Sequence, residues 1–277
     1  MNEMELPPED HSLIMVMGKT GVGKSYFIDH ITGQKVIQGH TLESCTKNIS
    51  WYTIKDQKIS LIDTHGFDDT YLSDDQVLIK FAEWLNNLYK SGRKLNGVVY
   101  LHSIKDDKMY GSSVKNFNMF KSISGKECYD NTILSTTKWG QINKEVGENR
   151  EQQILSQFWA DVISEGSHYF RYDDDLTMLD CIIKLSQKGK IVLQLQDELK
   201  QGKYLGNTSA GKLIISDLNH FVELHKKQLT RIKEDITEAL KEKDQELLNW
   251  CQEEENRIHK MLDDINNSLI KLISNQH

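Results

Sequence analysis

Proline is almost absent from this chain. The 277 residues hold two, Pro7 and Pro8, both in the leader. Beyond them nothing is barred by proline from helix interiors or sheets, which suits a helix-rich protein. Cysteine is scarce as well. Cys45, Cys128, Cys181 and Cys251 are scattered with no C-x-x-C pair. That leaves no zinc-ligand spacing and fits a reducing compartment. An excess of positive charge is also lacking: 34 Lys and Arg stand against 41 Asp and Glu, a net charge of −7. A nucleic-acid binder held by phosphate contacts is therefore not expected. No uninterrupted apolar run approaches the roughly 18–20 residues a bilayer requires, so no transmembrane segment is expected. The acidic start, MNEMELPPEDH, has no apolar core of a signal peptide. Residues 1–10 are expected to be a disordered leader, and the protein to be soluble and cytoplasmic. With 38% hydrophobic and 27% charged residues the composition is that of a globular protein. The length allows one large α/β domain with an appendage, or two domains.

The organising stretch is residues 12–25, SLIMVMGKTGVGKS. Leu13 to Met17 is an apolar run without charge. It ends in the spacing G-x-x-x-x-G-K-S: Gly18, Lys19, Thr20, Gly21, Val22, Gly23, Lys24, Ser25. A buried strand, a glycine-rich turn and a helix are the context of a phosphate-binding loop. The glycines let successive backbone N–H groups converge on one anion. Lys24 is placed to reach the β- and γ-phosphates, and the Ser25 hydroxyl to ligate Mg²⁺. The helix opening at Lys24 and running on through Tyr26 adds its positive end.

A second motif follows about 40 residues later. Residues 34–48 show no periodicity and read as a long loop. Two strands, at 49–54 and 58–62, are joined by Lys55-Asp56-Gln57. The second runs into Asp63-Thr64-His65-Gly66-Phe67-Asp68-Asp69-Thr70. An acid at the carboxyl end of a strand parallel to the first faces the Mg²⁺ held by Ser25, through a water. Gly66, three residues on, can turn its N–H toward the γ-phosphate. Directly after a hydrophobic strand, this Asp-x-x-Gly separates a switch-type nucleotide hydrolase from a small-metabolite kinase.

The chain then alternates. Val77, Leu78, Phe81, Trp84, Leu85 and Leu88 recur at helical spacing over 74–90. Strands are expected at 97–104, 132–135 and 169–172, and helices at 112–123, 152–165 and 173–185. Alternation of this kind implies a mainly parallel sheet with its ligand at the strands' carboxyl ends. Thr136-Thr137-Lys138-Trp139-Gly140 occupies the place of a guanine-reading [NT]-K-x-D motif. The lysine stem packs along the base plane, but glycine at 140 lacks the acid that accepts from guanine N1 and N2. Gly166 and Ser167, before the last strand, are expected to pack on the base.

From Ser186 onward the chain is rich in Lys, Glu, Gln and Leu and shows no strand. Lys190 to Lys203 reads as one helix. Leu213 to Ser274 reads as a long helix or a helical hairpin. Leu218, Val222, His225, Leu229, Ile232 and Ile236 form a heptad seam, and Ile258, Met261, Ile265, Leu269 and Leu272 a second run. These helices either pack back on the nucleotide domain or form a coiled coil for self-association.

With these motifs in order, the chain resembles the septin-like branch of translation-factor-class P-loop GTPases: septins, chloroplast Toc receptors and the immune-associated (GIMAP) GTPases, and in particular the small fungal "G domain-containing" proteins. The resemblance rests on residues 18–25, Leu42-Glu43-Ser44-Cys45-Thr46, residues 63–70 and Thr136-Thr137-Lys138-Trp139. It covers about residues 11–185. It implies a Ras-like G domain of the P-loop NTPase class, three layers around the sheet, followed by a helical extension from 186 to 277. It also implies GTP or GDP with Mg²⁺ as ligands, and Thr46 as the switch-loop threonine on Mg²⁺ and the γ-phosphate, with Thr41 as its rival. A homodimer or homo-oligomer through the nucleotide face or the C-terminal helices is implied in turn. His65 stands where the family usually has proline.

The reaction expected is hydrolysis of GTP to GDP by in-line attack of water, with Lys24, Thr46, His65 and Gly66 as the catalytic set. Phe67 stands where a water-orienting glutamine would follow Gly66, so turnover is expected to be slow. His65 either orients the water or is an ordinary loop histidine. Two other readings remain open: a nucleotide-gated scaffold with little or no hydrolysis, and an ATP-using P-loop protein.

Overall fold

The structure, a computed structural model, describes residues 6–36, 49–68, 72–106 and 111–274. Thr41, Thr46, Asp69 and Thr70 lie outside the described residues. The chain divides into two compact units, the first ending at Gly202 and the second beginning at Lys203.

The first unit is an α/β Ras-like G domain. Six strands, β1 (Ser12–Met17), β2 (Ser50–Thr53), β3 (Ile59–Asp63), β4 (Gly97–Ser103), β5 (Thr132–Thr137) and β6 (His168–Arg171), form one sheet in the order β2-β3-β1-β4-β5-β6. Among the described residues, the β2–β3 pair is antiparallel and the other four strand pairs of this sheet are parallel. Residues 13–17 of β1 and all of β3 and β4 are buried, as strands covered on both faces must be. The order reverses at β1, which has β3 on one side and β4 on the other, and an open α/β sheet binds its ligand at such a switch point.

One face of the sheet is covered by α1 (Lys24–Thr32) and α6 (Asp175–Ser186), through Phe27, Ile28, Ile31, Met178 and Ile182. The other carries an aromatic cluster in which Tyr100 lies 4.8 Å from Phe120 and Phe117 lies 6.0 Å from Trp159, ring centre to ring centre. It involves α3 (Ser112–Ser124), while α2 (Asp74–Lys90) buries the six apolar positions its spacing marks. Pairs at these distances add to the area they bury.

Two helices depart from the expected limits. The helix expected at 152–165 begins earlier, as α4 (Lys144–Gln153), because Asn143 accepts from the Glu145 and Val146 N–H groups and caps it. Almost all of α4 is solvated, so no apolar period marks it. It passes through a π-helical turn, Ile154–Phe158, into α5 (Ala160–Ser164). The helix expected at 190–203 is shorter, α7 (Gln194–Lys200), since Ile191 pairs with Leu95 in an isolated bridge. Through that bridge and the buried Leu193 and Leu195 the first unit continues past the composition change at Ser186. The described part of the leader is held rather than loose: the Arg93 guanidinium donates to the Pro7 and Pro8 carbonyls, and Lys58 pairs with Asp10 at 2.8 Å.

The second unit is a helical hairpin of α8 (Ser209–Glu242) and α9 (Gln245–Ser274). Lys243, with φ 57°, breaks the helix. The seam positions Leu229, Ile232 and Ile236 pack against Leu247, Cys251 and Ile258 of α9, so the heptad pattern is used within one chain. Among the described residues no helix is long and apolar enough to cross a membrane.

Candidate functional site

β1 ends in the loop that enters α1. Gly18 has φ 146°, and a Cβ there would come within 2.4 Å of the Leu101 carbonyl oxygen, so the loop can leave beside β4 only with glycine. Lys24 is buried, its ammonium folded back to donate to the Gly18 carbonyl at 2.9 Å and the Lys19 carbonyl at 3.2 Å. A lysine desolvated this far needs such acceptors in place of water. Thr20, Gly21, Gly23, Lys24, Ser25, Asp63 and Gly66 all line one cavity of about 290 Å³.

The Asp63–Asp68 stretch lies against this loop. The Thr64 hydroxyl donates to the Val16 carbonyl at 2.7 Å, fixing it to β1. The Thr20 hydroxyl donates to the Gly66 carbonyl at 3.4 Å, and Lys19 pairs with Asp68 at 3.0 Å. A Cβ on Gly66 would lie 2.4 Å from the Thr20 nitrogen and 2.8 Å from Lys24 Nζ. Phe67 is buried, and its carbonyl accepts from Asn116 of α3 at 3.3 Å. Asn116, itself buried, ties α3 to this loop; no local sequence pattern singles it out. His65 is half-buried on the cavity wall.

Asp63 is the acid of the cavity. Burial pushes its carboxyl up to about 6, opposed by the Lys24 ammonium and reinforced by the charge of Asp29. Among the described residues no three of His, Cys, Asp and Glu come together as a metal cluster. A hydroxyl, one carboxylate and an adjacent anion cradle are what Mg²⁺ takes, because it keeps waters and phosphate oxygens as its remaining ligands. Ser25 and Asp63 fit that need. Thr46 is outside the described residues.

A wider cleft of about 930 Å³ shares Gly23 and Tyr26 with the first cavity. Its walls include Val22, Thr137, Lys138 and Trp139. The Thr137 hydroxyl donates to the Val22 carbonyl at 2.7 Å, and the Lys138 ammonium to the Gly21 carbonyl, so the end of β5 is tied to the phosphate loop. Trp139 is held from several sides. Its Nε1–H donates to Thr136 Oγ1 at 3.0 Å, and the Arg171 guanidinium lies 3.8 Å from the ring centre. Gly147 of α4 leaves room for its edge. Arg171 in turn donates to Glu151 through Nε at 3.0 Å and through Nη2, and Tyr169 donates to the same carboxylate.

Gly166 and Ser167 are not at this cleft. They precede β6, at its amino end, where the Ser167 hydroxyl donates to the Tyr129 carbonyl at 2.9 Å. In a parallel sheet the ligand sits at carboxyl ends, and there β6 presents Tyr172, Asp173, Asp174 and Asp175 instead. The carboxyl-end rule applied to β6 finds this turn from the sequence.

Known proteins resemble this chain in sequence and in fold. Residues 13–127 match the family described as "50S ribosome-binding GTPase". The chain is 28% identical over 165 residues to a probable GTP-binding protein EngB of Wolbachia sp. subsp. Brugia malayi, covering 55% of this chain and 83% of that one. It is 32% identical over 135 residues to Translocase of chloroplast 90 of Arabidopsis thaliana, covering 48% of this chain and 17% of that one. A dimerization-deficient mutant of Toc33 from Arabidopsis thaliana superposes with a TM-score of 0.50 at 16% identity, covering 66% of this chain and 88% of that one. In sequence over residues 13–127, and in fold, the chain is therefore similar to P-loop GTPases.

Proposed function

We propose that this protein binds GTP with Mg²⁺ in the joined cavities and hydrolyses it slowly, with the bound nucleotide governing homodimerisation or further assembly. The observation that supports this best is that Lys24, Ser25, Asp63 and Gly66, distant in sequence, line one cavity that adjoins the Lys138 cleft. The EngB relatives are GTP-binding proteins by name. In the chloroplast translocon components, which have this fold, dimerization is important for GTPase activity.

In this reading the loop 18–25 cradles the phosphates, and Lys24 leaves its carbonyl acceptors for the β- and γ-oxygens. Ser25 and Asp63 would hold Mg²⁺, with Thr46 as the expected third ligand, and the ion would neutralise charge at those oxygens. Water attacks the γ-phosphorus in line; the bond to the β–γ bridging oxygen breaks, releasing GDP and inorganic phosphate. Gly66 brings its backbone to the γ-phosphate without a side chain to block it. Phe67 is buried and apolar where a water-orienting amide would follow, which leaves His65 as the nearest candidate. Slow intrinsic turnover follows, raised when a second copy meets the nucleotide face.

Calorimetric titration of Lys24→Ala with GDP and Mg²⁺ tests the phosphate site. Binding is expected to vanish, and binding as tight as wild type would sink the assignment. The apolar residue after Gly66 favours a second reading, a nucleotide-gated scaffold with little hydrolysis. Mass measurement without nucleotide, with GDP and with a non-hydrolysable GTP analogue separates a nucleotide-governed assembly from a monomer in all three states.

A further inference from the structure

Lys138 and Asp173 follow the carboxyl ends of the neighbouring strands β5 and β6 and line one cleft. The parallel register pairs Ile133 with His168 through Thr136 with Arg171, and the Tyr172 N–H still donates to the Thr136 carbonyl at 2.9 Å. Beyond this point Lys138 turns out of strand geometry, with φ 63°. Lys138 and Asp173 both line the cleft of about 930 Å³. Lys138 is folded toward the Gly21 carbonyl, along the cleft wall. Gly140 carries no side chain, and a Cβ there would meet nothing within 4 Å.

The three acids of the β6–α6 turn are not equivalent. Asp174 caps α6, accepting from the Thr177 N–H at 2.7 Å. Asp175 accepts from the Tyr172 hydroxyl at 2.5 Å. Asp173 is exposed, lines the cleft, and makes neither a hydrogen bond nor an ion pair with the described residues. It is the carboxylate of this turn left with both oxygens available to a ligand.

We propose that Asp173 determines base specificity, its carboxylate accepting from the N1–H and the exocyclic N2–H₂ of guanine that position 140 cannot reach. A two-oxygen acceptor matches two donors on one edge. Adenine turned the same way offers an unprotonated ring nitrogen and a C–H, leaving the carboxylate without a partner, and an unpaired polar group of this kind is what makes a site reject an analogue. This rests on the GTP-binding reading and goes beyond it by naming the discriminating group. It also accounts for how a cleft lacking an acid at 140 selects guanine.

The test is calorimetric titration of wild type and Asp173→Asn with GDP, xanthosine diphosphate and ADP, each with Mg²⁺. Xanthine has a carbonyl where guanine has its amino group, so an asparagine amide that accepts from N1–H donates to that carbonyl. In the variant, GDP affinity is expected to fall about 10- to 100-fold and xanthosine diphosphate affinity to rise by a similar factor, with ADP unchanged. The gain for xanthosine diphosphate is a readout that a merely misfolded or loosened turn does not give. Unchanged GDP affinity in the variant overturns the assignment while leaving the GTP-binding reading intact. Loss of GDP without a gain for xanthosine diphosphate overturns it too, as does wild type that binds GDP and ADP equally. Wild type that binds no nucleoside diphosphate overturns both readings.

Discussion

Gly66 sits so close to Thr20 that a single methyl group would not fit: a Cβ there would lie 2.4 Å from the Thr20 nitrogen and 2.5 Å from its hydroxyl oxygen. The Asp-x-x-Gly loop and the phosphate loop are thus in backbone contact, and the glycine of the Asp-x-x-Gly loop is at the contact. Gly66→Ala forces the two loops apart at the point nearest Lys24 Nζ. GDP, which lacks a γ-phosphate, is expected to bind the variant within about threefold of wild type, while GTP turnover falls at least about tenfold, in line with losing one preorganised donor. Parallel GDP titration and phosphate release check this. Equal turnover would show that the loop does not act at the γ-phosphate.

The Trp139 network makes a second expectation. Arg171 stacks on Trp139 at 3.8 Å and is bonded to Glu151, which holds its guanidinium above the usual range. Arg171→Ala removes the stack and leaves a largely buried carboxylate bonded, among the described residues, to Tyr169 alone. A stability loss of about 2 kcal/mol is expected, with weaker nucleotide binding because Lys138 and Trp139 lose their support. Chemical denaturation of Arg171→Ala, Glu151→Gln and the double variant measures it. Additive losses would mean that the two groups do not act as a pair.

The division of the second unit gives a third. Ile258 is buried against Leu229, Ile232 and Cys251 between the two long helices. Ile258→Ala is expected to cost about 2–4 kcal/mol of hairpin stability through the cavity it leaves. GDP affinity, seated in the first unit, should stay within error. Circular dichroism melting and titration on the full chain test both halves. A matching loss of GDP binding would mean that the units do not behave independently.

How much of this the sequence displays follows from what each feature depends on. Gly18 to Ser25 and Asp63 to Gly66 are legible because strand, turn chemistry and spacing are local and agree. The limits of α4 are not, since a helix solvated almost all round has no apolar period to read, and only Asn143 marks its start. Ile191 reads as helix locally, yet its pairing with Leu95 is a long-range event that no propensity shows. The seam from Leu229 to Ile236 is legible as a seam, but its occupant, α9, is fixed by the break at Lys243. Gly166 and Ser167 follow from motif order alone, whereas the direction of β6 sets which of its ends meets the ligand.

A fourth expectation concerns pH. His102 is buried on β4, with its ring centre 6.1 Å from Trp159, and burial lowers its imidazole to about 4; Asp106 favours the charged form and Lys19 opposes it. In the unfolded chain the same group takes its proton near 6.5. Between those values the unfolded state binds the extra proton, so this contribution is complete above about 6.5 and is lost as pH falls toward 4. The full loss is on the order of 3 kcal/mol. Asp63 works in the opposite sense. Its folded carboxyl is raised from 3.8 to about 6, so the native state holds a proton that the unfolded chain releases, and acidification through that window adds stability. The two offset each other in wild type, and the difference between variants isolates them. Thermal melts of ligand-free wild type and His102→Phe from pH 7 to 5 should diverge, the variant gaining stability relative to wild type as pH falls. Asp63→Asn should diverge the other way, losing ground to wild type over the same range. Parallel curves for His102→Phe would mean that His102 takes up its proton as readily in the fold as in the unfolded chain, and that the Trp159 side of the sheet admits water.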